Sequence, residues 1–511
     1  MSLGNLAVLL DGPARRLARR PAVVCGDETV RDWAGLAGAV ARRAGALRDD
    51  FGIGAGDAVA LFAANCAPYL ETLFSCWHAG AVAVPISSRL HPLEAAALLE
   101  ASGARLCFAT EPEAGALEAV APPGTRIVVL GSADDAALAA HEPIALVPRA
   151  MHDDAWIFFT SGTTGRAKGA RLSHGNLLAM SAAYYADVSF VGPGDALIHV
   201  AALSHASGLM ALPFVACGAT QVLPASGGFD IGEVMDLVAA GTRSTFFVPP
   251  TLLRRLSASP AVAAGRVDRI GTVLVGAAPV HPDDLRAGVG ALGPRVWNGY
   301  GQGESPCTIT ANPPAAIAAA VDADDDRVLG SVGVARWATR VRVVDEADRE
   351  LPHGEVGEVI VAAPTVMAGY LDDPGASATA LRNGWLHTGD LGRADADGRL
   401  TLVDRAKDVV ITGGYNVYPR EVEDVLIGDA AVAEVAVVGL PDAEWGEVVA
   451  AFVVAEPGAT VDATALDQRC QDRIARHKRP RTYHVLDELP RNSAGKILKK
   501  TLRESLAHGP R

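Results

Sequence analysis

Thr160-Ser161-Gly162-Thr163-Thr164-Gly165-Arg166-Ala167-Lys168-Gly169 is the stretch of this 511-residue chain whose residue types are hardest to reconcile with a core. It crowds four hydroxyls, three glycines and a lysine directly behind Trp156-Ile157-Phe158-Phe159, an apolar run that reads as a buried strand. Glycines let backbone N–H groups approach an anion, hydroxyls donate to its oxygens, and lysine is a point charge for phosphate. The expected ligand is a polyphosphate. Arg166 and Ala167 separate Gly165 from Lys168, and no hydroxyl follows Lys168, so this is not a G-x-x-x-x-G-K-[ST] loop. A flexible linker uses the same residues, but its place immediately behind a strand argues against that reading.

A second cluster, Asn298-Gly299-Tyr300-Gly301-Gln302-Gly303-Glu304, follows the expected strand Arg295–Trp297. Tyr300 offers a flat face for a purine, its glycines permit close approach, and Glu304 is a hard oxygen ligand for Mg2+. A plain glycine-rich turn is the alternative. Downstream lie Thr388-Gly389-Asp390, then Asp404-Arg405-Ala406-Lys407, then Pro490-Arg491-Asn492-Ser493-Ala494-Gly495-Lys496. A carboxylate such as Asp390 can accept both hydroxyls of a ribose diol.

Together, in this order, these motifs resemble those of the adenylate-forming enzymes: acyl- and aryl-CoA synthetases, peptide-synthetase adenylation domains and firefly luciferase. The resemblance runs from about Arg31 to Arg503. It implies a nucleotide site built from Thr160, Ser161, Gly162, Thr163, Thr164, Lys168, Gly276, Ala277, Ala278, Asn298, Gly299, Tyr300, Gly301, Asp390 and Arg405. Thr160 and Glu304 are the implied Mg2+ residues, and Lys496, Glu304 and His205 the implied catalytic ones. Lys496 would stabilise charge on the α-phosphate and the attacking carboxylate. Lys407 falls at the family's pivot. Gly413, Gly414 and Tyr415 match the loop flanking the pantetheine tunnel, so coenzyme A joins ATP and Mg2+ as an expected ligand. One position departs: the family's Tyr-Gly-x-Thr-Glu has Gly303 where threonine is usual, and Ser305 or a water is the expected substitute.

The acid is narrowed by what the pocket segments lack. Leu203–Met210 has no aspartate to hold an amino group, so an α-amino acid is not expected. His205 lies where the resemblance puts a histidine near the carboxylate, though a satisfied core histidine is an equal alternative. The pocket residues are expected to be His205, Gly208, Phe247, Val248, Gly276, Gly301 and Gly303, within segments free of Lys and Arg. A second carboxylate would be unpaired there, at a cost of several kcal/mol. An apolar monocarboxylic acid, fatty or aryl, fits better, with Gly299, Gly301 and Gly303 leaving room for its tail. The expected acceptor is CoA, with carrier-protein phosphopantetheine as the alternative. A non-catalytic acyl- or nucleotide-binding homologue is the reading from another class.

These residues need a large α/β frame. Strand-like Val59–Phe62, Ala81–Pro85, Leu106–Phe108 and Ile127–Leu130 alternate with helical segments such as Pro92–Ser102, and the rhythm recurs at Leu197–Val200, Ser244–Val248 and Thr272–Val275. That pattern predicts parallel sheets with helices on their faces. Between Val328 and Ala363 short strands suggest a small β subdomain. The charged run Asp404–Asp408 reads as a hinge, dividing an N-terminal domain, 1–404, from a small mobile α+β domain, 405–511.

Bulk properties exclude other classes. A net charge of −14 is wrong for a general nucleic-acid binder. Seven scattered cysteines without a C-x-x-C pair argue against zinc or a disulfide framework and for a reducing cytoplasm. Leu9-Leu10 gives way at once to Arg15, Arg16, Arg19 and Arg20, so no signal peptide is expected. Ala196–Phe229 lacks Asp, Glu, Lys and Arg but is broken by histidines and prolines, so it reads as a buried strand–loop–helix and not a membrane span. A homodimer is compatible with all of this.

Overall fold

A computed structural model describes residues 4–160, 167–413, 415–442, 445–492 and 496–507, without the side chains of Cys307, Thr308, Lys407 and Ala507. The chain forms two compact units, one of residues 1–341 and 361–387, the other of Arg342–Ile360 and Thr388–Arg511.

The first unit contains two sheets. One has nine strands, in the order Val334–Ala335, Ser305–Asn312, Val296–Gln302, Ile270–Val275, Arg243–Val248, Asp195–Ile198, Thr220–Leu223, Pro21–Cys25 and Glu28–Asp32. Its middle pairs are parallel, and antiparallel strands finish both edges. The other has seven strands, in the order Gly369–Tyr370, Lys168–Ser173, Asp154–Thr160, Val82–Ser87, Ala58–Ala63, Leu106–Ala109 and Arg126–Val129. Local chemistry sets the crossovers. The helix Pro92–Ser102 opens on a capping box between His91 and Glu94 and stops at left-handed Gly103. The helix His174–Asp187 opens on a box between Ser173 and Asn176. Helix Ala206–Cys217 is buried from Ser207 through Val215, as an all-round apolar helix must be. Among the described residues no helix is long and apolar enough to cross a membrane.

The second unit holds most of a four-stranded sheet (Arg340–Val344, Gly357–Ala362, Leu386–Ala394, Leu400–Arg405) and all of a five-stranded one (Tyr415–Val417, Val410–Thr412, Gly446–Ala455, Val432–Asp442 and Thr482–Leu486). Helices Pro419–Leu426 and Ala463–Arg473 bury Val422, Leu426, Leu466 and Cys470 against the latter. The short strands expected around Val341 and Gly357 are present, but Arg342–Ile360 groups with the C-terminal residues and not with the parallel sheets.

Two elements differ from expectation. The Asn298–Gln302 cluster is not a turn after a strand: the strand continues through it, and only Gly303-Glu304 turns. Strand pairing with Ser305–Asn312 satisfies its backbone. Likewise Asp404 and Arg405 belong to the strand Leu400–Arg405, and only Ala406–Asp408 leaves it, as a single 3-10 turn.

Candidate active site

Strands Asp154–Thr160 and Lys168–Ser173 form an antiparallel hairpin in which Thr160 pairs with Lys168. The hydroxyl- and glycine-rich segment is thus the connection of a hairpin, pinned at its base by the two residues expected to meet phosphate and metal. Ser161, Gly162, Thr163 and Thr164 lie outside the described residues, as does Gly414. From the other sheet Glu304 arrives on its turn. Its Oε1 accepts the Thr160 hydroxyl at 3.1 Å and the Tyr370 phenol at 2.9 Å. The Lys168 ammonium sits 4.9 Å from the Tyr370 ring centroid. Thr160, Glu304 and Lys168 therefore converge, and Tyr370 joins them. Nothing in its local sequence marks it.

Gly303 has a physical reason. A Cβ there would come within 2.6 Å of the Thr160 methyl and 2.7 Å of the Phe158 ring. Phe158 packs edge-on against His205, with centroids 5.4 Å apart. The room attributed to Gly303 is thus filled by Phe158 and Thr160. The same holds for Gly299, where a Cβ would lie 2.0 Å from the Trp297 indole. Ser305 does not stand in for the missing threonine hydroxyl: it is fully buried and pairs with Thr365 at 3.1 Å.

Gly276 ends the strand Ile270–Val275, and Ala277 beside it has φ 69°, a left-handed conformation costly for a residue with a Cβ. Ala277 and Ala278 are exposed. Asn298 and Tyr300 share one strand face and are buried, while Gly299 lies on the other. Val248 points into the hydrophobic core, whereas Phe247 lies near Gly276 on the opposite face. Val248 is therefore not a pocket-lining side chain. Gly208 approaches the Leu203 carbonyl so closely that a Cβ would lie 2.0 Å away, which explains the glycine by helix entry.

His205 is the N-cap residue of the helix Ala206–Cys217, and its Nδ1 meets the Ser204 hydroxyl at 2.9 Å. Asn65 clamps the loop before it, donating to the carbonyls of His199 and Ala201 and accepting from Leu203 N–H. Burial pushes the His205 imidazole down to about 4, and the charge of Arg89, from outside the segments expected to line the pocket, adds to the effect. His199, held between Ser207 and Gln221, and His174 are likewise pushed down to about 4, mainly by burial.

These imidazoles fold neutral, while the unfolded chain binds their protons near the ordinary 6.5. Their contribution to stability is complete above that pH and is lost as pH falls towards 4. Tm should therefore decline between pH 6.5 and 4.5, and less steeply in His205→Asn. A slope unchanged by that substitution would contradict the burial argument.

In the second unit Asp390 and Arg405 are cross-strand partners, with Arg405 Nε 2.6 Å from Asp390 Oδ1. Thr388 Oγ1 donates to the Val359 carbonyl and accepts from Asp390 N–H, and left-handed Gly389 allows the bend. Gly413 is also left-handed, with a Cβ position 2.8 Å from the Trp445 ring. Tyr415 is 60% exposed and stacks on His477. Further along the chain Lys478 pairs with Glu421 and Arg479 with Asp467, and Arg481 lies over Trp445. Exposed Lys496 stands at the end of a short loop closed by the bridge between Arg491 and Ile497.

Among the described residues no three His, Cys, Asp or Glu form a metal cluster. One carboxylate, Glu304, beside the Thr160 hydroxyl suits Mg2+, which keeps its waters and binds through one or two carboxylates plus substrate phosphates.

Two sheets facing a hydroxyl–carboxylate–lysine cluster, with a carboxylate–arginine pair on a separate unit, define the class. Residues 10–371 match the AMP-binding enzyme family, and residues 421–496 match the AMP-binding enzyme C-terminal domain. The chain belongs to the AMP-binding enzyme family. It is 36% identical to the feruloyl-CoA synthase of an Amycolatopsis species, over 96% of this chain and 97% of that protein. It is 35% identical to the fatty acid–[acyl-carrier-protein] ligase ScoC of Streptomyces coeruleorubidus, over 89% of this chain and 87% of that protein. The ATP-bound MatB structure from Rhodopseudomonas palustris superposes with a TM-score of 0.88 at 32% identity, covering 99% of each chain.

Proposed function

We propose that this protein is an AMP-forming acid–thiol ligase that activates an apolar monocarboxylic acid, fatty or aryl, and transfers it to CoA. The observation that carries this is the meeting of Thr160, Lys168, Tyr370 and Glu304 at the base of the phosphate-type hairpin. Membership of a family that includes feruloyl-CoA synthase supports it. Thr160 and Glu304 are the residues that would hold Mg2+, whose chemistry would be to neutralise phosphate charge. Lys168 and the hairpin hydroxyls orient the ATP phosphates. Neutral His205 borders the acid, and Phe158 fixes its ring. Lys496 stabilises the charge that develops as the carboxylate attacks the α-phosphate and pyrophosphate leaves. The CoA thiol then attacks the acyl-AMP carbonyl and AMP departs.

Our reading is that the C-terminal domain, 405–511, turns about Lys407 between these steps, first bringing Lys496 and then the Gly413–Tyr415 loop to the site. The cytoplasm is the proposed compartment, on the unpaired state of the six cysteines whose side chains are described. Carrier-protein phosphopantetheine is the second acceptor to test, favoured by the similarity to an acyl-carrier-protein ligase.

Acid-dependent exchange of pyrophosphate into ATP, followed by AMP release with CoA over a panel of fatty and aryl acids, tests the reading. No exchange with any acid would leave only a binding protein. Saturation with free CoA separates the two acceptors. Asp390→Asn keeps the side chain's shape but removes the charge that faces Arg405 and, in this reading, the ribose. It should raise the KM for ATP about ten- to a hundredfold, the worth of a charged hydrogen bond. Steady-state rates at varied ATP check this, and an unchanged KM would remove Asp390 from the nucleotide site.

A further inference from the structure

We propose that Trp297 is the specificity-determining residue of the acyl pocket. Its indole closes the deep end, so the acid must have a compact tail, a single aromatic ring or a short chain. This rests on the ligase reading above and goes beyond it by choosing between tail shapes.

The sheet register carries the argument. Phe247, Leu274 and Trp297 are in register on three neighbouring parallel strands. Phe246, Val248, Val273, Val275 and Val296 face the opposite side and fill the core there. Alternation therefore puts the Phe247–Leu274–Trp297 row on the other face. Two residues further along, towards the C-terminal ends of the strands, that face carries Gly276 and Gly299. A Cβ on Gly276 would lie 3.1 Å from the Gly299 carbonyl oxygen. Open α/β sheets bind ligands at this end of the strands. A Cβ on Gly276 would also lie 3.5 Å from the Phe247 ring, so the bulky side chains of the row behind border the room in front of these glycines.

Trp297 does not stay in its own row. A Cβ on Gly299 would meet Cη2 at 2.0 Å and Cζ3 at 2.4 Å, so the indole takes space that the glycine frees. The ring is also held from behind. Arg336, 5% exposed, places its guanidinium carbon 5.4 Å from the ring centroid. Arg336 in turn donates from Nε to Asp187 Oδ1 at 2.9 Å and from Nη2 to the Ala183 carbonyl at 3.0 Å, both on the helix His174–Asp187. Trp337 N–H donates to the other Asp187 oxygen at 2.8 Å. A ring clamped this way does not swing aside for a long chain.

The test compares wild type, Trp297→Leu, Gly299→Ala and the double variant on straight-chain acids from butyrate to palmitate and on benzoate and cinnamate. Wild type should favour the short and single-ring acids. Trp297→Leu should raise kcat/KM for longer acids, by about tenfold or more for each methylene it newly admits. Gly299→Ala should impair every acid, because its Cβ meets the ring, and the Leu background should restore most of that loss. Thermal upshifts produced by each acid with the same proteins read the pocket without turnover. A chain-length profile identical in wild type and Trp297→Leu, or palmitate preferred by wild type, would overturn the inference and leave the ligase reading standing. Wild type inert to every acid would instead end the ligase reading, and equal palmitate upshifts in both proteins would then refute the role of Trp297.

Discussion

Lys496→Ala should nearly abolish acid-dependent pyrophosphate exchange while leaving thioester formation from supplied acyl-AMP largely intact. Backbone bonds and Asn492 hold the residues on either side of Lys496. Asn492 N–H donates to the Lys496 carbonyl and Lys496 N–H to Asn492 Oδ1, each at 2.8 Å, and Leu498 N–H donates to the Pro490 carbonyl. Cutting the side chain at Cβ keeps all of these bonds, and Tm of the variant reports whether the fold is kept. Removing one preorganised charge from a developing oxyanion costs about a hundred- to a thousandfold in kcat. In the proposed mechanism only the first half-reaction draws on this lysine's charge. Assaying the two half-reactions separately on one folded variant decides the matter. Equal loss in both would show that Lys496 acts throughout, or that the variant has lost structure.

The parts of the site legible in the sequence are those where chemistry is compressed into a few neighbouring residues. Thr160–Gly169 declares itself because no core or helix uses so many hydroxyls and glycines together, and Thr160 and Lys168 do close one hairpin. The parallel sheets were legible for a similar reason: buried strands such as Val59–Phe62 are short apolar runs between helical periodicities, and the run lies within Ala58–Ala63. The helix over Pro92–Ser102 carries both its cap and its stop within the segment.

What was not legible depends on residues distant in the chain. Tyr370 acquires meaning only by touching Glu304, and Arg336 only by bridging Trp297 to Asp187. Phe158 looked like one more apolar residue in a strand, yet it takes the space beside Gly303. Glycines misled for the same reason. Their presence shows that space is needed, and the sequence does not say whether a ligand or a neighbouring side chain needs it. The grouping of Arg342–Ile360 with the C-terminal residues is again a matter of long-range strand pairing. Local pattern located those strands and was silent about their partners.

Gly303→Thr is the sharpest meeting of these two kinds of knowledge. The resemblance to adenylate-forming enzymes puts threonine there, so restoring it should repair a missing phosphate contact. The packing says the reverse. The new Cβ would lie 2.6 Å from Thr160 Cγ2 and 2.7 Å from Phe158 Cδ1, and threonine adds two further heavy atoms to it. Neither neighbour yields cheaply. Thr160 is tied to Glu304 and to its hairpin partner Lys168. Phe158 sits in a paired strand with its ring edge-on to His205. Relief must move the Glu304 turn, and a shift of about 1 Å in such a group costs on the order of a hundredfold. Gly303→Thr should therefore lose about that much pyrophosphate exchange with little change in Tm, because the turn is peripheral to the core. Phe158→Val in the same chain should recover part of it by opening the space the threonine needs. Exchange rates of the single and double variants test this, and a Gly303→Thr enzyme as active as wild type would mean that the turn relaxes freely and that Phe158 does not dictate the glycine.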